Sequence, residues 1–194
     1  MKRVLFVPGF QEDLHFRDYT SVITAIEKKG YVVTLVPINW KRTTIDDWSK
    51  ELDTIYSGYE PSETILAGFS YGAMTALVCT AKRNPSELWL FSLSPYFAED
   101  VKSKNMKATW LKHIGKRRTA AFSKLVFKDL AKNIPCKTLL FYGQAEIDMF
   151  PVMKERSIDA HKSLRNNELM IINDTRHDVS DKRYIDMIST CIEV

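Results

Sequence analysis

Short apolar runs alternate with longer amphipathic stretches along the whole of this 194-residue chain. The runs fall at residues 4–7, 32–36, 65–69, 88–93, 138–142 and 169–172. Each is apolar on nearly every consecutive position, with Thr34, Ser92 and Thr138 as the hydroxyl-bearing exceptions, the pattern of a strand buried on both faces of a parallel sheet. Between them the spacing is helical. Val22, Ile23 and Ile26 share a face ahead of Gly30, a C-terminal stop. Within 46–56, Trp48, Leu52, Ile55 and Tyr56 do the same; Met74, Leu77 and Val78 follow Ser70, and Ile185, Ile188 and Ile192 close the chain. Such alternation predicts right-handed crossovers and a doubly wound α/β fold of about six strands, one domain spanning 1–194 with helices on both faces.

The interval 96–133, between the fourth and fifth predicted strands, breaks the rhythm. Residues 101–132 hold ten cations (Lys102, Lys104, Lys107, Lys112, Lys116, Arg117, Arg118, Lys124, Lys128, Lys132) against Asp129, a segment charge of +9. The whole chain carries 28 − 24 = +4, so the remainder carries 4 − 9 = −5. Trp110, Leu111, Ile114, Phe122, Leu125, Val126 and Phe127 interleave the cations. One or two amphipathic helices inserted over the sheet edge are expected, either as a solvated outer face or as a lid. In the second case Trp110, Phe122 and Phe127 line an acyl pocket while the cations draw in an anionic substrate or an acidic carrier protein. Nucleic acid is not indicated, because no recognised binding motif accompanies the charge.

The sharpest chemical signal is Gly68-Phe69-Ser70-Tyr71-Gly72, placed between an apolar run and a helical stretch. A serine on such a turn presents its hydroxyl above the sheet, and side chains at Gly68 and Gly72 would collide with the neighbouring strand or helix. An unassisted hydroxyl is a poor nucleophile at neutral pH, so a base is required. Of His15, His113, His161 and His177, His177 follows the last run directly and shares the sheet edge of Ser70. His161 reads as a solvated helix position, and His113 would have to reach in from the basic cover. An orienting carboxylate is sought in the loop 143–151, which ends at the same edge. Glu146 has the commoner offset from Gly143. Asp148 has the commoner chemistry, lies nearer Pro151, and is slightly favoured. Donors to a developing oxyanion are expected at the N–H of Tyr71 and of Phe10, in the turn after the first strand, with Gln11 as the weaker donor. For that turn to reach Ser70 the strand order must be 2-1-3-4-5-6, with its switch point between the first and third strands. Gln11, Tyr96 and Trp110 are the expected pocket residues.

The chain resembles an α/β-hydrolase reduced to its core, through Pro8-Gly9-Phe10, the Gly68–Gly72 turn, the acid loop 143–151 and the late His177. His15-Phe16 and Asp47-Trp48 are similar to the compact serine hydrolases related to the retinoblastoma-binding hydrolase. Pro8 stands where the family usually carries His. The resemblance implies a Ser-acid-His order along the chain, a lid in the place of the basic insert, and hydrolysis of a small-molecule carboxylic ester or thioester. Two alternatives stand beside it: a thioesterase or esterase acting on an acyl group held by an acidic carrier protein, and a catalytically silent binding module on the same fold.

Other functions are set aside by what is missing. Cys79, Cys136 and Cys191 are widely spaced, without a CxxC pair, which argues against a disulfide framework or zinc site and fits a reducing, cytoplasmic setting. No metal or organic cofactor is implied by the Cys and His spacing. No run approaches the roughly 18 apolar residues of a membrane span or a secretory signal's apolar region.

Overall fold

The computed structural model describes residues 1–12, 19–100 and 104–192. His15, Phe16 and Lys102 lie outside the described residues. The six apolar runs form β1 (Arg3–Val7), β2 (Val32–Leu35), β3 (Thr64–Phe69), β4 (Glu87–Phe91), β5 (Lys137–Gly143) and β6 (Asn167–Ile172). They make one six-stranded sheet in the order β2-β1-β3-β4-β5-β6, parallel throughout. Order and strand number are those expected, with the switch point between β1 and β3. In register, Val7 stands opposite Gly68, Phe69 opposite Phe91, and Phe91 opposite Phe141. The residues that follow these strands therefore emerge on one rim.

The helices are α1 (Tyr19–Glu27), α2 (Ile45–Tyr56), α3 (Tyr71–Thr80), α4 (Lys104–Phe122), α5 (Phe127–Lys132), α6 (Gln144–Met149), α7 (Pro151–Ser163) and α8 (Lys182–Cys191). Alternate residues of each strand feed two separate cores. Leu5, Val7, Leu66, Leu90 and Leu140 pack with Trp48 of α2 and Leu77 of α3 on one face. Val4, Phe6, Ala67, Phe91 and Phe141 pack with Ile26 of α1 and Ile188 of α8 on the other. Continuous apolarity in the strands is the consequence, since both faces are covered. Each fully buried Val, Leu or Phe contributes roughly 1.5–3 kcal/mol to the folded state.

Local signals set the helix ends. Gly30, with φ 88°, closes α1 in the left-handed conformation that glycine adopts without steric cost. Thr44 opens α2, its N–H donating to the Asp47 carboxylate at 2.8 Å. The acid loop and the break in the basic segment differ from the sequence expectation, while the number of helices in that segment agrees with it. The stretch 143–151 is not a loop but α6 running into α7, with Pro151 in the first turn of the latter. The basic segment holds two helices, and the first is broken at Gly115 (φ 80°, ψ 162°). Among the described residues no helix is long and apolar enough to cross a membrane.

Candidate active site

Ser70 sits between β3 and α3 at φ 58° and ψ −115°, a region costing a non-glycine residue about 1–3 kcal/mol. The strain is held by close backbone packing. A β-carbon on Gly68 would lie 2.3 Å from the Gly72 carbonyl carbon, and one on Gly72 would lie 2.1 Å from the Val7 carbonyl oxygen. The expected collisions at both glycines are therefore present, and the exit of β1 is pressed against the first turn of α3.

His177 reaches the serine from the loop after β6, with Nε2 3.0 Å from Ser70 Oγ. Its ring lies over Phe69, centroids 4.7 Å apart. Its other nitrogen, Nδ1, is 2.5 Å from Glu146 Oε1. Glu146 is 1% exposed, in the first turn of α6. Its second oxygen accepts from Ser92 Oγ at 2.7 Å and from the Gly143 N–H at 3.3 Å. Ser92 also lies 2.9 Å from the Tyr184 hydroxyl. Close packing of the His loop on the end of β5 requires glycine at 143, where a β-carbon would be 2.2 Å from the Thr175 carbonyl oxygen. Asp148, the favoured acid, is not at this position. It is exposed and accepts from Gln144 Nε2 at 2.8 Å, one helical turn back. The carboxylate beside the imidazole is Glu146.

Hydrogen-bond polarity along this line is constrained. With a neutral imidazole beside an ionised carboxylate, which only accepts, Nδ1 carries the proton and Nε2 accepts from the Ser70 hydroxyl. Ser94 Oγ lies 3.1 Å from Ser70 Oγ and is buried. Because the single Ser70 proton points to His177, Ser94 must be the donor in that contact. Neither Ser92 nor Ser94 stood out in the sequence. The available signal was two hydroxyls spaced by one residue where a buried run ends, on the rim that also carries Ser70.

The turn after β1 is tied down beside this line. Glu12 N–H donates to the Gly9 carbonyl at 3.1 Å, closing a turn with Phe10 and Gln11 at its corners, and Gln11 takes φ 60°. Gly9 N–H donates to the Tyr19 hydroxyl at 2.9 Å, and that hydroxyl donates in turn to Glu12. The Phe10 ring packs on Tyr71 at 5.1 Å. Tyr71 opens α3, so its N–H has no acceptor within the helix.

Ser70 and His177 open into a cavity of about 550 Å³. Its walls come from Tyr71, the Ser94–Tyr96 segment, α4 through Trp110 and His113, and the α6–α7 junction through Phe150 and Met153. Tyr96 and Trp110 line it as expected, their rings 4.5 Å apart. Burial raises the Tyr71 and Tyr96 phenols above their ordinary value, and their rings lie 4.9 Å apart. Three expectations do not hold. Gln11 is exposed and lines a different cavity, because the positive φ turns it away from the serine. Phe122 and Phe127 are fully buried: Phe122 packs on Trp48 and Tyr71, and Phe127 on Phe97. His113, set aside in the sequence, does reach the cavity wall.

No protein-family model matches the chain, and no curated protein matches it in sequence. Solved structures do match. The chain superposes on Est1E from Butyrivibrio proteoclasticus, solved with ferulic acid bound, at TM-score 0.78 and 13% identity, covering 98% of this chain and 87% of that one. A dienelactone hydrolase from Anabaena variabilis matches at TM-score 0.68 and 17% identity, over 98% and 82% of the two chains. A bromoperoxidase from Bacillus anthracis matches at TM-score 0.71 and 14% identity, over 96% and 90%. None of these reaches the narrower likeness to the retinoblastoma-binding type. Sheet order, the strained serine turn and these superpositions agree that the chain has the α/β-hydrolase fold.

Proposed function

We propose that this chain is a serine hydrolase that cleaves small carboxylic esters or thioesters through an acyl-enzyme. The observation that carries the reading is the unbroken contact line from Ser70 through His177 to Glu146, at 3.0 and 2.5 Å, beneath the apolar cavity. Esterases and hydrolases among the superposed structures support the same reaction class. As Ser70 Oγ forms its bond to the acyl carbon, its proton passes to His177 Nε2, and Glu146 stabilises the resulting imidazolium. The N–H groups of Tyr71 and Phe10 hold the tetrahedral oxyanion. Collapse breaks the carbon–oxygen or carbon–sulfur bond, and His177 returns the proton to the leaving atom. Water, deprotonated by the same imidazole, then releases the acid and restores Ser70.

Residues 96–133 act as the lid in this reading, with Trp110 and His113 closing one side of the acyl cavity. Three free cysteines fit a reducing, cytoplasmic setting. An acidic carrier protein as acyl donor rests on the positive charge of the lid. Arg117 and Arg118 are partly committed elsewhere, both guanidinium groups donating to backbone carbonyls of the loop 40–43.

A fluorophosphonate probe tests the nucleophile. Stoichiometric labelling at Ser70 is expected, with labelling and p-nitrophenyl ester turnover both abolished by Ser70→Ala. A chain that neither labels nor turns over a panel of p-nitrophenyl esters and acyl-thioesters is the silent binding module instead.

A further inference from the structure

Gln11 directs attention to a second cavity, of about 490 Å³, that the mechanism above does not use. Among the described residues its wall carries five cations, Lys41, Arg42, Lys116, Arg117 and Arg118, and no carboxylate. Net charge makes the concentration plain: the chain carries +4, so without these five residues it would carry −1. Two of the five have structural work. Arg118 donates to the Thr43 carbonyl at 2.9 Å and to the Trp40 carbonyl at 2.5 Å, and its guanidinium stacks over the Phe10 ring at 4.9 Å. Arg117 donates to the Arg42 carbonyl at 3.0 Å and stands 3.9 Å from Asp47, which is not part of the wall. Lys41, Arg42 and Lys116 are exposed and pair with no carboxylate among the described residues. Gly115, where the helix breaks, is part of this wall, and a β-carbon there would meet nothing within 4 Å.

The linings of the two cavities come close at Phe10, whose ring lies 5.1 Å from that of Tyr71 in the first and 4.9 Å from the Arg118 guanidinium of the second. Along α4, His113 lines the cavity over Ser70 and Ile114 lines the second. Along the turn after β1, Phe10 packs on Tyr71 of the first cavity and Gln11 lines the second. A molecule that spans both would set its carbonyl at Ser70, its apolar acyl chain in the first cavity and its other end in the second. Among the described residues of the first wall, the groups able to carry positive charge are the imidazoles of His113 and His177. An anionic portion is therefore drawn to the second cavity, where five cations cluster and Lys41, Arg42 and Lys116 have no carboxylate partner among the described residues.

We infer that this cavity binds a phosphate-bearing leaving group, making the substrate an ester or thioester whose alcohol or thiol part carries phosphoryl groups. The inference rests on the hydrolase reading for the fate of the acyl group, but not for the binding itself. A concave site of this size suits a phosphoryl or diphosphoryl group rather than a protein face.

The test uses the full chain as wild type and as the Lys41→Ala/Lys116→Ala double variant. Both lysines are exposed, so folding should survive, with Tm as the check; Lys41→Met/Lys116→Met, which retains the apolar stems, is the substitute if it does not. Binding of inorganic pyrophosphate is measured by calorimetry at low salt. In parallel, kcat/KM is measured for butyryl-coenzyme A and for p-nitrophenyl butyrate, which share an acyl group. The wild type should bind pyrophosphate, and the double variant should bind it on the order of tenfold more weakly. The ratio of kcat/KM for the thioester over the neutral ester should fall by a similar factor. Equal pyrophosphate binding by the two proteins, or an unmoved ratio, overturns the proposal. If the wild type hydrolyses neither compound, the hydrolase reading fails, and calorimetry alone decides the cavity: binding lost in the variant upholds it, and absence of binding to the wild type overturns it. Inhibition by inorganic phosphate as strong as that by coenzyme A assigns a lone phosphoryl group; inhibition by coenzyme A alone assigns a nucleotide-linked diphosphate.

Discussion

Two positions separate Glu146 from Asp148, and on a helix that is about 200° of rotation. Once 144–149 is helical, only one of the two can face the imidazole, and the first turn of α6 turns Glu146 inward. Glu146→Gln keeps the side-chain volume but replaces an acceptor oxygen with a donor or a neutral carbonyl, so it cannot stabilise the imidazolium. A fall in kcat on the order of 10⁴ is expected, with Asp148→Asn within about twofold of wild type because its carboxylate meets only Gln144 and solvent. Stopped-flow or steady-state kinetics on one p-nitrophenyl ester checks both, and the reverse ranking would return the acid to Asp148. The sequence made both carboxylates visible but could not choose, because a six-residue helix flanked by Gly143 and Pro151 reads as a loop. Ser70, Tyr71, Phe10 and His177 were legible for the opposite reason: each directly follows a buried run or sits one turn from its end, where parallel topology dictates the rim. Ser92 and Ser94 had no such marker beyond their place after β4.

Elements meet at glycines, and there the fold holds least slack. Gly72 lies where α3 crosses the exit of β1, with the Val7 and Pro8 carbonyl oxygens 2.1 and 2.3 Å from where a β-carbon would stand. Neither oxygen belongs to a flexible side chain, so Gly72→Ala has to push the β1 turn away from the serine. A loss of about 1–3 kcal/mol of stability is expected from the overpacking. A drop in kcat/KM should accompany it, since Phe10 is displaced with the turn. Gly58→Ala is the matched control. Its β-carbon would stand 3.5 Å from the nearest atom, the Ile55 carbonyl oxygen, so a stability change within about 0.5 kcal/mol is expected. Chemical denaturation of both variants beside their kinetics reads the difference, and equal effects would mean that the close approach at Gly72 does not restrain the site. At this scale the strands were readable because burial on both faces leaves no polar alternation to confuse with a helix. The basic segment was less so. Its charges and apolar residues indicated helices, but nothing in them marked the break at Gly115, and the inward turn of Phe122 and Phe127 follows from packing against α2 and the 96–100 segment.

Across the whole molecule, parallel strands carry the chain to one rim and the helices return it, so chemistry and bulk are segregated end to end. Ser70, Ser92 and Ser94 follow strand C-termini, and Glu146 and His177 come from the segments just beyond β5 and β6. All three cysteines lie at the other end: Cys79 near the C-terminus of α3, Cys136 directly before β5, and Cys191 at the last residue of α8. Burial pushes the Cys79 thiol up to about 12 and the Cys136 thiol up to about 11, and raises Cys191 as well. At pH 8 the thiolate fraction of Cys79 is then about one part in ten thousand, and only the thiolate attacks an alkylating reagent. Iodoacetamide at pH 8 should therefore leave native ester turnover intact over a period in which a fluorophosphonate removes it, and mass spectrometry should find Cys79 unmodified. Because each folded thiol is held protonated by burial, alkylation should become fast only when denaturant opens the chain, and the order of events can be read from the same samples. Inactivation by iodoacetamide in step with one modified cysteine would require a sulfur within reach of the acyl carbon, which this topology does not permit.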